Sequence, residues 1–529
     1  MKSPSPDLRR WWQIVVLCLL VWGGSSAVLR PLYPLDETRY ASIAWAMRRL
    51  GSWWPVLGEQ LYSHKPPLLF WLMRLAWWVG GYSTLSLRLL MLALTMACLW
   101  RSVVLSSMLW GRRPEVVLAA ALLAGNWYVA AMGTAVYFDM ALTLWTVLTI
   151  EGLWRAAGGQ RWGFVLAGCA LGLGALTKGP LIGPFVIGPM LAMPWIVGHS
   201  IKGWWRGVLM TGLLASLALL GWFVALGLVH GVDIVRAIVW NQGAGRVVAA
   251  FDHARPWWWY APWLLVLWLP WVSWPVLWRL RWAIWRDVGG RLCLAWMVPP
   301  VVLLSIASGK QPHYLLPLFP AIALVLGRAL ERMTDTSRRA LLGPGLLFVI
   351  GGLALLGGWH LVPALRFWLS WNQVLLWTVG GIVLGAMVVL VGRGLTVQRQ
   401  VMWLAVCALL GLCLGQVVLV KALASRYDLR AFAGTIAHLQ ARGLIVAKAG
   451  VYHGQFDFLG RLEQPIVAVP RAQICDWGER HPRAVVIVEL PGHWRSASAA
   501  DLILVQPYRG HQLALMPPPA ACRVLKQLS

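Results

Sequence analysis

The chain has 529 residues, 59% of them hydrophobic and only 12% charged, with a mean hydropathy of +0.66. That balance excludes a soluble multidomain protein of this length and points to a polytopic membrane protein. The net charge of +27 would suggest nucleic acid in a soluble chain, but most of the excess sits in one set of loops, where orientation and contact with anionic lipid headgroups account for it, and no nucleic-acid module is present.

Apolar stretches long enough to cross a bilayer as helices cover residues 11–29, 87–110, 116–132, 137–154, 162–176, 181–197, 204–229, 263–278, 292–307, 315–330, 341–361, 374–391 and 401–420. The expected fold class is therefore an all-α bundle of about thirteen transmembrane helices. The first stretch has a basic flank but no small-residue cleavage site before Arg30 and Pro31, so it reads as a retained anchor. Arginine and lysine pairs such as Arg9 and Arg10, Arg112 and Arg113, and Arg338 and Arg339 fall in alternate loops, which are cytoplasmic by the positive-inside rule. The other loops, carrying Asp36, Lys178, residues 230–262 and Lys310, then open outside. An odd span count places the C-terminus outside as well.

Two regions break the apolar background. The first outer loop, residues 30–86, is too long for a simple connection. In it Tyr40, Ile43, Met47 and Leu50 recur at helical spacing with arginines among them, which predicts a helix lying in the interface plane. Pro66 and Pro67 then open a second helical run over residues 68–79. From residue 424 the sequence becomes mixed: residues 428–440 read as a helix, and 444–451, 484–488 and 502–505 as buried strands. The chain thus divides into a membrane domain, 1–423, and a small outer α/β domain, 424–529. Six cysteines lie in apolar spans as packing residues, while Cys475 and Cys522 fall in the outer domain and can pair in an oxidising compartment. The 38 tryptophans mostly mark helix ends, as interfacial anchors do.

The ionisable residues of the outer loops carry the chemistry. Asp36 and Glu37 follow the first span in a chain with few acids. Asp36 has a structural reading as a helix N-cap. It also has a functional one, as a carboxylate that accepts a hydroxyl proton or balances charge on a sugar carbon. Lys65, after His64 and just before a helix start, opposes the helix dipole unless an anion joins it there. Arg39, Asp139, Lys178, Arg246, His253, Arg255, Lys310 and Tyr314 lie at outer positions too. Singly, each is explained by snorkelling or an interhelical polar contact. Jointly they suggest an anionic ligand held at the membrane surface.

The run Leu35-Asp36-Glu37-Thr38-Arg39-Tyr40-Ala41, the Lys65-Pro66-Pro67 motif, Thr177-Lys178-Gly179-Pro180, and Lys310 with Tyr314 and Pro317 resemble the bacterial aminoarabinose transferase and protein O-mannosyltransferase-like group of GT-C fold membrane glycosyltransferases. The segments Tyr452-His453-Gly454-Gln455-Phe456 and Phe458-Leu459-Gly460-Arg461 look familial as well. The resemblance implies inverting transfer of one sugar from a polyprenyl-phosphate donor to a lipid or protein acceptor on the outer face of a bacterial inner membrane. By that analogy Asp36 is the catalytic carboxylate, and Lys65, Arg255, Lys310 and Tyr314 bind the carrier phosphate. Where family members have a glutamate before Lys-Pro-Pro, this chain has His64. In the aminoarabinose transferases that glutamate is associated with a divalent metal together with a histidine resembling His253; imidazole is itself a good transition-metal ligand, so His64 and His253 are the candidate metal ligands here, with a changed charge that leaves metal use open.

No Gly-rich phosphate loop and no Asp-x-Asp pair is present, so the marks of a nucleotide-sugar donor are missing. The competing readings are a polyprenyl-linked glycan transporter and a non-catalytic envelope-glycan assembly factor. Transporters place ionisable groups near the bilayer midplane, whereas here they gather at one face.

Overall fold

The computed structural model describes residues 6–111, 113, 116–198, 200–239, 254–279, 286–333, 339–492, 494 and 502–528. The chain forms two compact units from interleaved segments. One comprises Met1–Val28, Ser63–Leu69 and Leu87–Val418, the other Leu29–Tyr62, Phe70–Ser86 and Leu419–Ser529.

The first unit is helical. Among the described residues of the whole chain, nine helical segments are long and apolar enough to cross a membrane, fewer than the thirteen expected, and the difference has physical causes. Residues 162–176 and 181–197 run together through a 3-10 turn, Gly179–Ile182, as one segment, Trp162–Val197. The stretch 116–132 is cut into Val117–Ala124 and Trp127–Met132, because the Asn126 side chain caps the second piece by accepting from the Val129 amide. The stretch 137–154 is a helix, Phe138–Ala157, whose Asp139, Glu151 and Arg155 lower its apolarity. The stretch 263–278 breaks around Pro270 into Tyr260–Leu267, a 3-10 turn and Pro275–Trp278.

Helix contacts in this unit are made by small residues, as in a medium where only close packing drives association. The Phe138–Ala157 and Trp162–Lys178 helices form a hairpin so tight that a Cβ added to Gly152 would lie 2.6 Å from the Gly163 carbonyl oxygen. Thr211 donates to the Phe164 carbonyl at 3.1 Å, and Thr378 to the Gly352 carbonyl at 3.1 Å. Charges inside the bundle are paired. Glu151, fully buried, accepts from Arg101 Nε at 2.8 Å and Arg155 Nε at 2.9 Å, and Arg88 donates to the Thr134 carbonyl at 2.7 Å. Not all tryptophans are interfacial anchors: Trp204, Trp271, Trp274 and Trp296 are core residues. Trp271 and Trp204 donate to the Leu122 and Met190 carbonyls at 2.8 and 3.0 Å, which satisfies the one polar atom each brings into the interior.

The second unit joins the outer loop to the C-terminal region. The Asp36–Arg49 helix does not lie exposed on the surface: nearly all of it from Glu37 to Met47 is buried. Ser42 accepts from the Phe458 amide at 3.1 Å, Trp45 donates to the Leu462 carbonyl at 3.0 Å, and Arg49 to the Glu463 carbonyl at 2.8 Å. Trp77, on the Leu68–Gly80 helix, stacks on Phe458 with ring centroids 4.7 Å apart. Segment 452–463 therefore holds the helix on its second face. A short hairpin, β1 (Val56–Leu57) and β2 (Gln60–Leu61), lies between the two loop helices.

The C-terminal region follows the helix Arg430–Ala441 with five strands: β3 (Val446–Ala449), β4 (Val467–Val469), β5 (Val485–Pro491), β6 (Leu504–Tyr508) and β7 (His511–Met516). The sheet order is β4-β3-β5-β7-β6, with β3 parallel to β4 and β5, and β7 antiparallel to β5 and β6. Arg509 and Gly510, both at positive φ, close the β6–β7 hairpin, where such a turn matches the strand twist. Strands β4 and β7 are too short or too mixed to have stood out in the sequence. A disulfide joins Cys475 to Cys522 across 47 residues, tying the helix Ile474–Arg480 to Pro518–Leu528. Replacing both cysteines by serine is expected to lower the stability of this region by about 2–4 kcal/mol, read as a lower midpoint in thermal unfolding that added reductant reproduces in the native protein.

Candidate active site

Each unit presents its own cluster of the residues singled out from sequence. In the first unit the centre is Asp139, 1% exposed, in the first turn of the Phe138–Ala157 helix. Lys178, the last residue of the antiparallel neighbour Trp162–Lys178, donates to it at 2.6 Å. Each charge stands at the helix end its sign favours, and the hairpin brings the two ends together. His313 Nε2 lies 4.0 Å from the second carboxylate oxygen, and Lys65 is a further positive neighbour, its ammonium 5.8 Å from the Phe138 ring centroid. Lys178 also sits over the Tyr314 ring at 4.5 Å. Three basic side chains and a tyrosine ring thus gather around one carboxylate.

Lys310 is 3% exposed and donates to the Arg255 carbonyl at 3.0 Å and to the Ala307 carbonyl. The Arg255 amide in turn donates to the Ser308 carbonyl at 3.1 Å, beside a bridge between Ala254 and Gly309. Burial lowers the Lys310 pKa, and its ammonium staples the turn to the Arg255 backbone. Arg246 and His253 lie outside the described residues. His64 is exposed, and among the described residues no three His, Cys, Asp or Glu side chains form a metal-holding group.

In the second unit Asp36 is the first residue of its helix, not the cap; Leu35 holds the cap position and supplies no side-chain bond. Asp36 keeps 38% of its side chain exposed and accepts from Arg39 at 2.9 Å. Glu37 is the opposite, 1% exposed, accepting from the Tyr33 amide at 2.8 Å and Arg30 at 3.2 Å. It fixes the chain entering the helix.

Behind that helix lies Asp457, buried, accepting from the Tyr452 hydroxyl at 2.6 Å. Burial pushes its carboxyl up from 3.8 to about 6, against the lowering effects of Tyr452 and Arg49. A carboxyl whose pKa is raised on folding adds stability below its ordinary value and loses it as pH rises through the folded value. Asp457→Asn is therefore expected to unfold with wild type near about pH 4 and at a higher temperature than wild type near about pH 7.5, checked by thermal scans at both.

Sequence reasoning named Asp139 and Lys178 but not their pairing, and it passed over His313 and Arg30. The only local signal for His313 was its place in the same turn as Lys310 and Tyr314.

Comparison with known proteins gives the same frame. Residues 64–226 match the family described as dolichyl-phosphate-mannose-protein mannosyltransferase. An undecaprenyl phosphate-alpha-4-amino-4-deoxy-L-arabinose arabinosyl transferase of Pseudomonas aeruginosa (strain UCBPP-PA14) is 32% identical over 364 residues, 66% of this chain and 64% of that protein. The transferase of the same name from Edwardsiella ictaluri is 31% identical over 338 residues, 61% of this chain and 60% of the relative. The chain thus matches somewhat less than two thirds of the length of these relatives. The crystal structure of ArnT from Cupriavidus metallidurans bound to undecaprenyl phosphate superposes with a TM-score of 0.74 at 18% identity, covering 96% of this chain and 98% of that one. Its apo form gives a TM-score of 0.73 at 19% identity, covering 97% of this chain and 99% of that one. The chain is a polytopic membrane protein with the fold of ArnT, the GT-C fold, and is related to the undecaprenyl-phosphate aminoarabinose transferases.

Proposed function

We propose that the protein is a glycosyltransferase of the bacterial inner membrane that moves one sugar from a polyprenyl-phosphate carrier to a lipid or protein acceptor on the outer face. Residues 1–423 would form the membrane domain and 424–529 the periplasmic domain. The thirteen-span topology belongs to this proposal, its extra spans being the fused, broken and charged helices described above.

The observation that carries it is the convergence of Lys65, Lys178 and His313 on the single buried carboxylate of Asp139. Basic side chains gathered around one carboxylate at a membrane boundary suit an additional anionic ligand. A carrier phosphate is such a ligand. In the reaction an acceptor oxygen attacks the anomeric carbon opposite the phosphate, the new C–O bond forms, and the bond to the phosphate oxygen breaks with its electron pair leaving on the carrier. The configuration inverts. Lys65 and Lys178, with Arg255, Lys310 and Tyr314 by family resemblance, stabilise the departing charge. Asp36 takes the proton of a hydroxyl acceptor, or orients an acceptor phosphate that is already ionised. Glu37, locked to Arg30 and Tyr33, positions the helix that bears it.

The test is transfer of label from a radiolabelled polyprenyl-phosphate sugar to envelope lipids or proteins by the purified full chain. Labelled product that depends on the protein is the expected result. Movement of intact donor between vesicle leaflets with no covalent product would replace the enzyme by a transporter.

A further inference from the structure

Segment 452–463 grips the Asp36–Arg49 helix along one side. Ser42, Trp45 and Arg49, at helical spacing, bond to the Phe458 amide, the Leu462 carbonyl and the Glu463 carbonyl. Toward the start of the helix, His453 of the same segment has Arg39 as a positive neighbour. Arg39 is the residue bonded to Asp36. Any change in how the segment sits is therefore passed to the residue assigned to the chemistry.

The segment approaches the helix through Gly454, whose φ is +73°. A Cβ there would lie 2.5 Å from Leu57 Cδ1 of β1 and 3.3 Å from Ser42 Cβ, so glycine alone permits the approach. The same point is 3.6 Å from Asp457 Oδ2. An acid thus stands where segment, helix and hairpin come together.

Asp457 is 6% exposed, and its two oxygens are treated unequally. Oδ1 accepts from the Tyr452 hydroxyl at 2.6 Å, whereas Oδ2 is buried with no hydrogen-bond partner among the described residues. The charged or titratable groups that bear on it are Tyr452 of its own segment and Arg49 of the helix. The Arg49 guanidinium is committed elsewhere, to the Glu463 and Gly58 carbonyls at 2.8 and 3.2 Å. The other elements against the segment present apolar groups, Leu57 from β1 and Phe432 from the Arg430–Ala441 helix. A neutral carboxyl is tolerable in such a place, but an ionised one is costly and is relieved by admitting water, which parts the packed surfaces. Burial pushes the carboxyl up to about 6, so the folded protein holds the proton at about pH 5 and has released most of it by about pH 7.5.

We propose that Asp457 is a positioning residue for sugar transfer: uncharged, it lets segment 452–463 grip the Asp36–Arg49 helix firmly and hold Asp36 in its working place, and ionised, it loosens that grip. The assignment rests on the glycosyl-transfer reading and adds that transfer is favoured on the acid side. The lever is large enough, because a displacement of about 1 Å at a reacting group can cost about 10²-fold in rate.

The experiment measures initial rates of label transfer from a polyprenyl-phosphate sugar to envelope lipids or proteins by the full chain, well below its unfolding midpoint, from about pH 5 to about pH 8. Wild type, Asp457→Asn and Tyr452→Phe are compared. The ratio of variant to wild-type kcat cancels titrations that the proteins share, including those of donor and acceptor. For Asp457→Asn the ratio is expected to be near one at about pH 5 and to rise several-fold by about pH 7.5, with the donor KM unchanged. Tyr452→Phe removes the hydrogen bond that favours the ionised form, so the fall in its kcat should move to higher pH. Hydrogen exchange of the Asp36–Arg49 amides, compared at equal pH, should be faster in wild type than in Asp457→Asn at about pH 7.5 and equal at about pH 5. A residue that only packs would change every rate by one factor, so a ratio independent of pH overturns the proposal. Transfer with a flat ratio and equal exchange removes the positioning role alone. pH-dependent exchange without labelled product from wild type removes the enzymatic reading and leaves the grip itself standing.

Discussion

Asp36→Asn should lower sugar transfer by roughly 10²–10⁴-fold while donor binding stays near the wild-type value. The substitution keeps the shape and the oxygen that accepts from Arg39 at 2.9 Å, so the loss reports the negative charge. Asp36 is the accessible acid of its helix; Glu37, one residue on, is buried and bonded to Arg30 and the Tyr33 amide. The two substitutions should therefore differ in kind. Glu37→Gln weakens the fold around residues 30–33 and shows first in thermal unfolding, whereas Asp36→Asn leaves unfolding unchanged and shows in turnover. The acceptor sets the size of the Asp36 effect. A hydroxyl acceptor needs its proton removed and should suffer the larger drop, while an ionised phosphate acceptor should suffer the smaller. Initial rates with labelled donor and each acceptor type check this, and equal rates for wild type and Asp36→Asn would end the assignment.

The second large effect belongs to the Asp139 and Lys178 pair. Lys178→Met leaves a buried carboxylate without its 2.6 Å partner and should cost about 3–5 kcal/mol. The double variant Asp139→Asn with Lys178→Met removes both charges and should recover most of the thermal stability. Under the proposed function transfer should not recover with it, since the cation assigned to the carrier phosphate is still missing. Recovery of both by the double variant would show that the pair only holds the helix hairpin together. Unfolding midpoints and initial rates on the same preparations decide between the two outcomes.

The contrast between these acids also marks what the sequence could reveal. Hydropathy found the apolar segments because membrane insertion acts on each stretch separately, but it could not tell that residues 162–197 run on through a 3-10 turn, or that Asn126 ends a helix early. The outer polar residues were legible one by one, because an acid at the edge of an apolar run is conspicuous. Their pairing was not. Asp139 and Lys178 are 39 residues apart, and which residues meet depends on where two helices touch. Glu37 and Asp36 look equivalent in sequence, yet one is an anchor and the other is half-exposed. Only the burial of the Asp36–Arg49 helix against segment 452–463 separates them, and nothing local encodes a contact some 400 residues away, such as that of Ser42 with Phe458. Tryptophan misled for a related reason: its indole suits an interface, but a single carbonyl in the right place, as at Leu122, makes the core equally acceptable.

The close approach of Gly152 to Gly163 has a mechanical meaning. Two helices whose backbones touch cannot slide or pivot past one another without a clash, so the prong they form travels as a single stiff body. Asp139 and Lys178, both at its tip, keep a constant spacing through every turnover. If the proposed transfer operates, any motion that admits the donor and releases the carrier falls to the turns that bring His313 and Lys65 to the prong, and stiffening those turns should slow turnover without touching the pair.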